Sequence, residues 1–511
     1  MDTTRLMNRK RIIVAAVLTL VIFFWGRSEL FSYQTTPRWQ PLQRVPGYLD
    51  DTFPPVMIAD QNKTVHAFVH QWVGDDFLQM AIVYQQWTDA GGWTNPVDIL
   101  LPPIGEAQVY DAYLDQTGMM HLIFRAGNAE ESNIYYANTN IVDAGRATAW
   151  SKPELVAEGA VFPGSGAIIG DGKGNLAIIY NGNIGGNGVY SVYSSDNGQS
   201  WSEAEPIYLT FATDLIPFSL RMTQGEDGVV HAVWNVVNDR GVDISLYYAK
   251  AILDNNQWNT PVLLDTRIEK PDYFGPSFPD IAFNGQDVVI MYNSGNPDDN
   301  GQVDEGRPVQ RVLYSDDGGE TWSDPGSPFP RHLGRSGSHA LDVDSAGVVH
   351  AVFIQRIEPA DVERYAPIGG LWHSKYENGR WSEPELIELG EFSGHDVQAV
   401  ISQGNNLLVA MREDPGVAAK GVWYTSTYLN VPELPVSLPP TPAPMPTITP
   451  TPPLLVTVST PAPALNTSAV MRQDGIPPGA SNNPAKPILI GLLPVIIIIL
   501  GTFFIFQLYR H

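Results

Sequence analysis

The sequence predicts an all-β protein, a seven-bladed β-propeller, and three observations carry that prediction. YSSDNGQSW at Tyr193–Trp201 recurs as YSDDGGETW at Tyr314–Trp322. A Trp followed closely by Pro and an apolar tail recurs at Trp93, Trp150, Trp201, Trp258, Trp322 and Trp381, with an earlier copy at Trp39. Between these points lie short runs rich in Val, Ile, Tyr and Trp, punctuated by Asp, Asn and Gly, which is strand and hairpin chemistry. Self-similarity at a period of about 50–60 residues marks a repeat architecture, and a four-stranded unit of that length is a propeller blade.

The elements of each unit follow in a fixed order. A first strand enters a turn of the Asp-x-x-Gly kind, at Asp115–Gly118, Asp171–Gly174 and Asp344–Gly347, with variants from Asp60, Glu226, Asn284 and Ser402. A second strand follows, as in MMHLIF, NLAIIY and VVHAVF. The third is aromatic: IVYQQ, IYYAN, SVYSS, LYYAK, VLYSD, LWHSK and finally VWYTS. The Trp then opens a fourth strand. The first such Trp segment precedes any blade, and the last blade has none of its own. WQPLQRV from Trp39 is therefore expected to pair with the strand around Trp423 and close the ring, which removes exposed sheet edges.

The chain has 511 residues, a net charge of −25 and no Cys. A strongly acidic chain argues against a nucleic-acid partner, which needs clustered Lys and Arg. The lack of Cys excludes disulfides, Cys-ligated zinc and thiol nucleophiles. Residues 1–36 place Arg5, Arg9, Lys10 and Arg11 before the apolar run Ile12–Trp25, so a cleaved signal peptide and an uncleaved signal anchor both fit. The propeller spans 37–430. Residues 431–487 are rich in Pro and Thr and read as an extended stalk. The charge-free run Ile488–Phe506 gives a transmembrane helix over 488–507, with a cytoplasmic tail at 508–511. Positive residues at both ends put the propeller on the extracellular side of the cell membrane.

Ser194, Asp196, Gly198 and Trp201 match the Asp-box, also called the BNR repeat, as do Ser315, Asp317, Gly319 and Trp322. On these motifs the chain from about Trp39 to Asn430 resembles the sialidase-like (neuraminidase) propeller superfamily. The resemblance implies that the boxes are structural turns between third and fourth strands, on the face opposite the active site. It implies a glycan or a cell-surface glycoconjugate as partner, and exo-α-sialidase as the activity. Sialidases of this kind use three arginines on the substrate carboxylate, a Tyr nucleophile paired with a Glu, and an Asp acid/base. Their first arginine sits in an Arg-Ile-Pro that opens the first blade, where this chain reads DDTFPP at Asp51–Pro55. Arg44-Val45-Pro46 lies in the closing strand instead. Six blades are usual in that superfamily, so a six-bladed propeller is the alternative architecture. These departures favour glycan recognition without catalysis. An exo-α-sialidase, a glycoside hydrolase releasing terminal sialic acid, is the first alternative, and a cell-envelope scaffold or protein-interaction propeller the second.

Second strands end on the functional face with Arg125, Arg356 and Arg412, expected to form a ligand-binding arc, since guanidiniums suit planar carboxylates. Catalytic candidates are Asp111 and Asp280 near the starts of first strands, Tyr292 at the end of a second strand, and Glu413 beside Arg412. Asp396 opens the first strand of blade seven in the same manner. His66, His121, His231 and His350 occupy equivalent places in four blades and read as repeat packing rather than metal ligands. NPDDNGQVDEG at Asn296–Gly306 lacks the spacing of a Ca²⁺ loop. No metal and no cofactor are expected. Insertions at Ser294–Val309 and Glu358–Gly369 are expected to build a rim on the functional face.

Overall fold

A computed structural model describes residues 39–435, except 75–78, 129, 163, 226–227, 256, 269–274, 296–308, 330–335, 358–367, 391 and 414–420. The terminal segments, the stalk beyond residue 435, the Asn296–Gly306 loop and nearly all of both rim insertions lie outside the described residues, as do the side chains of Arg356 and Asp396.

Seven antiparallel sheets form the ring. Blade 1 runs through Val56–Ala59, Val65–Val73, Gln79–Thr88 and Val97–Leu100, and blade 2 through Glu106–Leu114, Met119–Gly127, Ser132–Asn140 and Glu154–Ala157. The other blades repeat this order, with first strands at Gly166–Gly170, Leu215–Gln224, Ser277–Phe283, Ser336–Val343 and Phe392–Ser402. Each first strand contacts those of both neighbouring blades, and the first strand of blade 7 contacts that of blade 1. The first strands therefore line the axis. Gln43↔Tyr424 and Arg44↔Trp423 pair antiparallel and close blade 7 from the N-terminal side, as the Trp spacing predicts. The count is seven blades, not six.

The fourth strand departs from the expected pattern. In blades 1, 4 and 6 the Trp sits in a two-residue strand, and the main fourth strand begins beyond the following Pro. Blade 5 has only three strands among the described residues, and Val312 meets Gly326 as an isolated bridge. Pro325 and Pro328 flank that bridge, and without N–H donors they cannot extend a ladder.

Buried apolar residues lie between adjacent blades. Tyr136, Ile123, Ile168 and Ile178 join blades 2 and 3, and Tyr248, Ile281 and Ile290 join blades 4 and 5. The equivalent histidines sit in these layers. His66, His121 and His231 each place Nδ1 within 2.6–2.7 Å of a third-strand Tyr hydroxyl, and His350 does the same with His373 at 2.9 Å. On the far side, His350 Nε2 meets Asp344 Oδ2 at 3.0 Å. These are packing relays within single blades. No group of His, Asp or Glu able to hold a metal occurs among the described residues.

Both Ser-x-Asp-x-Gly-x-x-Trp segments follow third strands, as hairpin turns. Asp196 Oδ1 accepts from the N–H of Gln199 and of Ser200, and Ser194 Oγ accepts from the Gly198 N–H. Asp317 and Ser315 repeat the arrangement. Trp201 packs edge-on against Tyr136 of blade 2 at 5.0 Å, and Trp322 against Tyr248 of blade 4 at 4.8 Å. Each box thus clamps its blade onto the preceding one.

Candidate functional site

The face opposite these turns receives the ends of second strands and the starts of first strands, and two cavities open there along the axis. The outer one, about 380 Å³, is lined by Phe53, His70, Gln108, Tyr110, Phe218 and Phe278, among others. The inner one, about 480 Å³, includes Asp111, Arg221, Asp280 and Asp342. Val56, Tyr110, Arg221 and Gln398 line both, so the two are levels of one channel.

Repeat register explains the inner level. Asp111 pairs with Ile123, Arg221 with Val233 and Asp280 with Met291, each three residues before the last paired residue of its first strand. These three side chains occupy one slot in blades 2, 4 and 5. From that slot a side chain reaches the next blade. Asp111 Oδ2 accepts from the Ile168 N–H at 3.0 Å, and Asp280 Oδ2 from the Leu341 N–H at 2.8 Å. Asp342, two residues further along in blade 6, accepts from the Ile401 N–H at 2.6 Å. Arg221 points at Asp280, with Nε 3.9 Å from Oδ1, and its side chain remains 43% exposed.

The outer level is shaped by β-bulges. First strands of blades 4 and 5 bulge between Phe218 and Arg221 and between Ser277 and Asp280. Inside these bulges Ser219 and Phe278 take φ of 50° and 49°, a left-handed conformation that is costly for residues with a Cβ. Strain of this kind gathers where a side chain is aimed for function, and both residues line the outer cavity.

Burial sets the charge states. It pushes the Asp111 carboxyl up to about 6, against the opposing pull of the Ile168 and Ala112 N–H groups and of Arg221. Burial likewise raises Asp280, and it takes Asp342 to about 6. His70 is pushed down to about 4, first by burial and then by the charge of Arg125, so it is neutral above that pH. Its Nδ1 accepts from the Val109 N–H at 3.4 Å.

The predicted residues are distributed unevenly. Arg125 and Arg412 lie near the mouth, on either side of blade 1, and each faces an aromatic ring. The Arg125 guanidinium, only 1% exposed, sits 4.3 Å from the Phe162 centroid and donates to Ser132 Oγ. Arg412 sits 4.1 Å from the Phe53 centroid and donates to the Asp51 carbonyl. Glu413 is half-buried at the end of its strand, with Oε2 shielded from solvent. Tyr292 does not reach the channel. It is fully buried between blades 4 and 5, and its hydroxyl donates to Asp265 at 2.8 Å. The cation inside the channel is Arg221, which the sequence reading passed over. Aligning Gly225–Gly228 with Asp115–Gly118 would have placed it in the slot of Asp111.

No known family model matches this sequence, and no curated protein does. Solved structures with the same fold include an ulvan lyase of polysaccharide lyase family PL25 bound to -[GlcA(1-4)Rha3S]-, with a TM-score of 0.50 and 12% identity over 75% of this chain and 95% of that one. A phage phi92 endosialidase aligns with a TM-score of 0.44 and 8% identity over 76% of this chain and 69% of that one. A leech intramolecular trans-sialidase complexed with 2,7-anhydro-Neu5Ac aligns with a TM-score of 0.42 and 12% identity, over 77% and 70%. The class that fold and topology define is the seven-bladed β-propeller.

Proposed function

We propose that the channel mouth binds an acidic glycan through Arg221, without cleaving it, on a propeller tethered at the outer face of the cell membrane. The observation that carries this reading is a single one: a half-exposed guanidinium at the junction of two axial cavities, below a well lined by Phe53, Phe218, Phe278 and Tyr110. Apolar walls with a few convergent polar groups are the general make-up of a small-ligand site, and a guanidinium is the donor best matched to a carboxylate. The ulvan lyase of this fold carries a uronate-containing glycan, which agrees with that ligand class.

Binding rather than cleavage is supported by how the candidate catalytic groups are engaged. Both oxygens of Asp111 and of Asp280 accept backbone N–H groups. The Tyr292 hydroxyl is held by Asp265. Tethering is supported by where the chain enters and leaves. The Gln40 N–H donates to the Ser426 carbonyl, and the Leu434 N–H to the Gln403 carbonyl, both on the face opposite the mouth.

A glycan array probed with the wild-type protein and with Arg221→Gln tests the reading, alongside assays for released sialic acid and for unsaturated uronate. Preferential binding of carboxylated glycans that is lost in Arg221→Gln supports it. Binding indifferent to Arg221, or turnover of either substrate, overturns it.

A further inference from the structure

Two aromatic side chains at the mouth are left half-exposed, and each is backed by a guanidinium. Phe53 is 47% exposed and Phe162 is 49% exposed. Arg412 lies against one face of the Phe53 ring and Arg125 against one face of the Phe162 ring, both within cation–π range. Phe53 also stacks on His70, with ring centroids 6.2 Å apart and planes 21° apart. The charge of Arg125 is felt at His70, so the five groups make up a row in two parts: Arg412, Phe53 and His70 in contact, then Arg125 and Phe162. The row runs along one arc of the mouth, from blade 7 past blade 1 to the loop after blade 2.

Three features of this row bear on its purpose. Exposed large rings are normally avoided, and two of them fixed in place by cations beside the same cavity form a prepared surface. A ring held in place offers its exposed apolar surface to a sugar, with little rotamer entropy left to lose. Finally, positive charge is gathered here on a chain of net charge −25, which favours an anionic ligand at short range despite the acidic whole.

Resting on the glycan reading above, we infer that Phe53 and Phe162 are two sugar-stacking subsites, and that the ligand is an internal stretch of a linear acidic polysaccharide rather than a single terminal sugar. Phe53 lines the outer cavity, whereas Phe162 lies outside its lining, beyond Gly164 and Ser165. A monosaccharide seated in the well over Arg221 does not meet Phe162, which lies outside the lining. A chain that places one carboxylate on Arg221 and continues along the arc contacts both. The guanidiniums behind the rings then add attraction for carboxylates on the flanking sugars.

The test is a length series. Oligogalacturonates of one to six residues are titrated into the full chain by calorimetry, with neutral oligoxylosides of matching length as controls. Affinity is expected to rise at least ten-fold from monomer to hexamer and then level off. Phe162→Ala is expected to remove about ten-fold from the hexamer affinity, and Phe53→Ala a similar factor. Both side chains are half-exposed, so the variants should fold, and melting curves check this. Monomer binding with no gain on lengthening overturns the extended site alone and leaves the glycan reading standing. Hexamer binding that is insensitive to both Phe variants, or equal binding of the neutral series, also overturns the inference. Failure of every acidic ligand to bind the wild-type protein removes both readings.

Discussion

The Asp111 carboxylate of blade 2 accepts a hydrogen bond from the backbone N–H of Ile168 in blade 3, at 3.0 Å. Asp280 and Asp342 make the same kind of link from blade 5 to blade 6 and from blade 6 to blade 7. Around the axis the neighbouring first strands are not paired as one sheet, so these carboxylates join strands that otherwise meet only by packing. The links come with a burial penalty that shows in the titration of each group.

That penalty gives the first prediction. The Asp342 carboxyl is raised from 3.8 to about 6, chiefly by burial. Between those values the folded protein holds a proton that the unfolded chain has lost. Stability therefore falls as pH rises through this window and is level above it. Asp342→Asn cannot ionise, so its stability relative to wild type should improve by about 3 kcal/mol between pH 3.5 and pH 7. Urea denaturation at several pH values checks this. A stability difference that does not change with pH contradicts it.

Ring closure gives the second. Val45 is 1% exposed, and the Gln40 and Val45 N–H groups donate to the Ser426 and Val422 carbonyls. Removing residues 1–47 exposes the edge of blade 7 and deletes these contacts. The loss should be about 4 kcal/mol, from one buried side chain and several hydrogen bonds. A synthetic peptide of residues 38–47 should restore part of the melting temperature in a saturable way. An unchanged melting temperature in the truncated protein sinks the claim.

The Asp-box turns give the third. Gly319 has φ of 83°, and a Cβ placed on it would lie 1.9 Å from the Tyr248 hydroxyl of the preceding blade. Gly198 stands in the same relation to Tyr136, at 2.2 Å. Gly319→Ala should cost about 2–4 kcal/mol through backbone strain and overpacking. The turn lies on the face opposite the channel mouth, so glycan affinity of the folded fraction should not change. Loss of affinity without loss of stability would contradict the assignment of the box as a clamp.

The architecture was legible because its signals are local and repeated. The Asp turns, the aromatic third strands and the Trp spacing each fix a hairpin, and the unmatched Trp39 segment shows how the ring shuts. The fourth strand of blade 5 was less legible because the Trp322 signal is followed by Pro325 and Pro328, which cannot extend a ladder. The site was less legible because it is built from one residue per blade, at one slot, with a different residue type each time. Arg221, Asp111 and Asp280 look unrelated in sequence until the register aligns them. Tyr292 misled for the opposite reason. It lies near the end of a second strand, as a site residue would, but its side chain points between blades and meets Asp265.

The last prediction joins the slot to binding. Arg221 faces Asp280 at 3.9 Å and feels Asp111 as well, while His339 beside it is pushed down to about 4 and stays neutral. Below about pH 6 the Asp111 carboxyl is largely protonated, and Asp280 is shifted in the same direction. The guanidinium then keeps its charge for a ligand. Above that pH the ionised Asp111 carboxylate competes with the ligand carboxylate, which is itself ionised throughout because its pKa lies well below 6. Affinity for an acidic glycan should therefore fall by roughly ten-fold between pH 5 and pH 7.5, which corresponds to about 1.4 kcal/mol. Asp111→Asn should flatten this profile and raise the affinity at pH 7.5. His70 adds nothing over that range, since it is neutral above about pH 4. Calorimetric titration of wild type and Asp111→Asn at both pH values decides the matter. Affinity that rises with pH, or an Asp111→Asn profile identical to wild type, would show that Arg221 is not the group that receives the ligand.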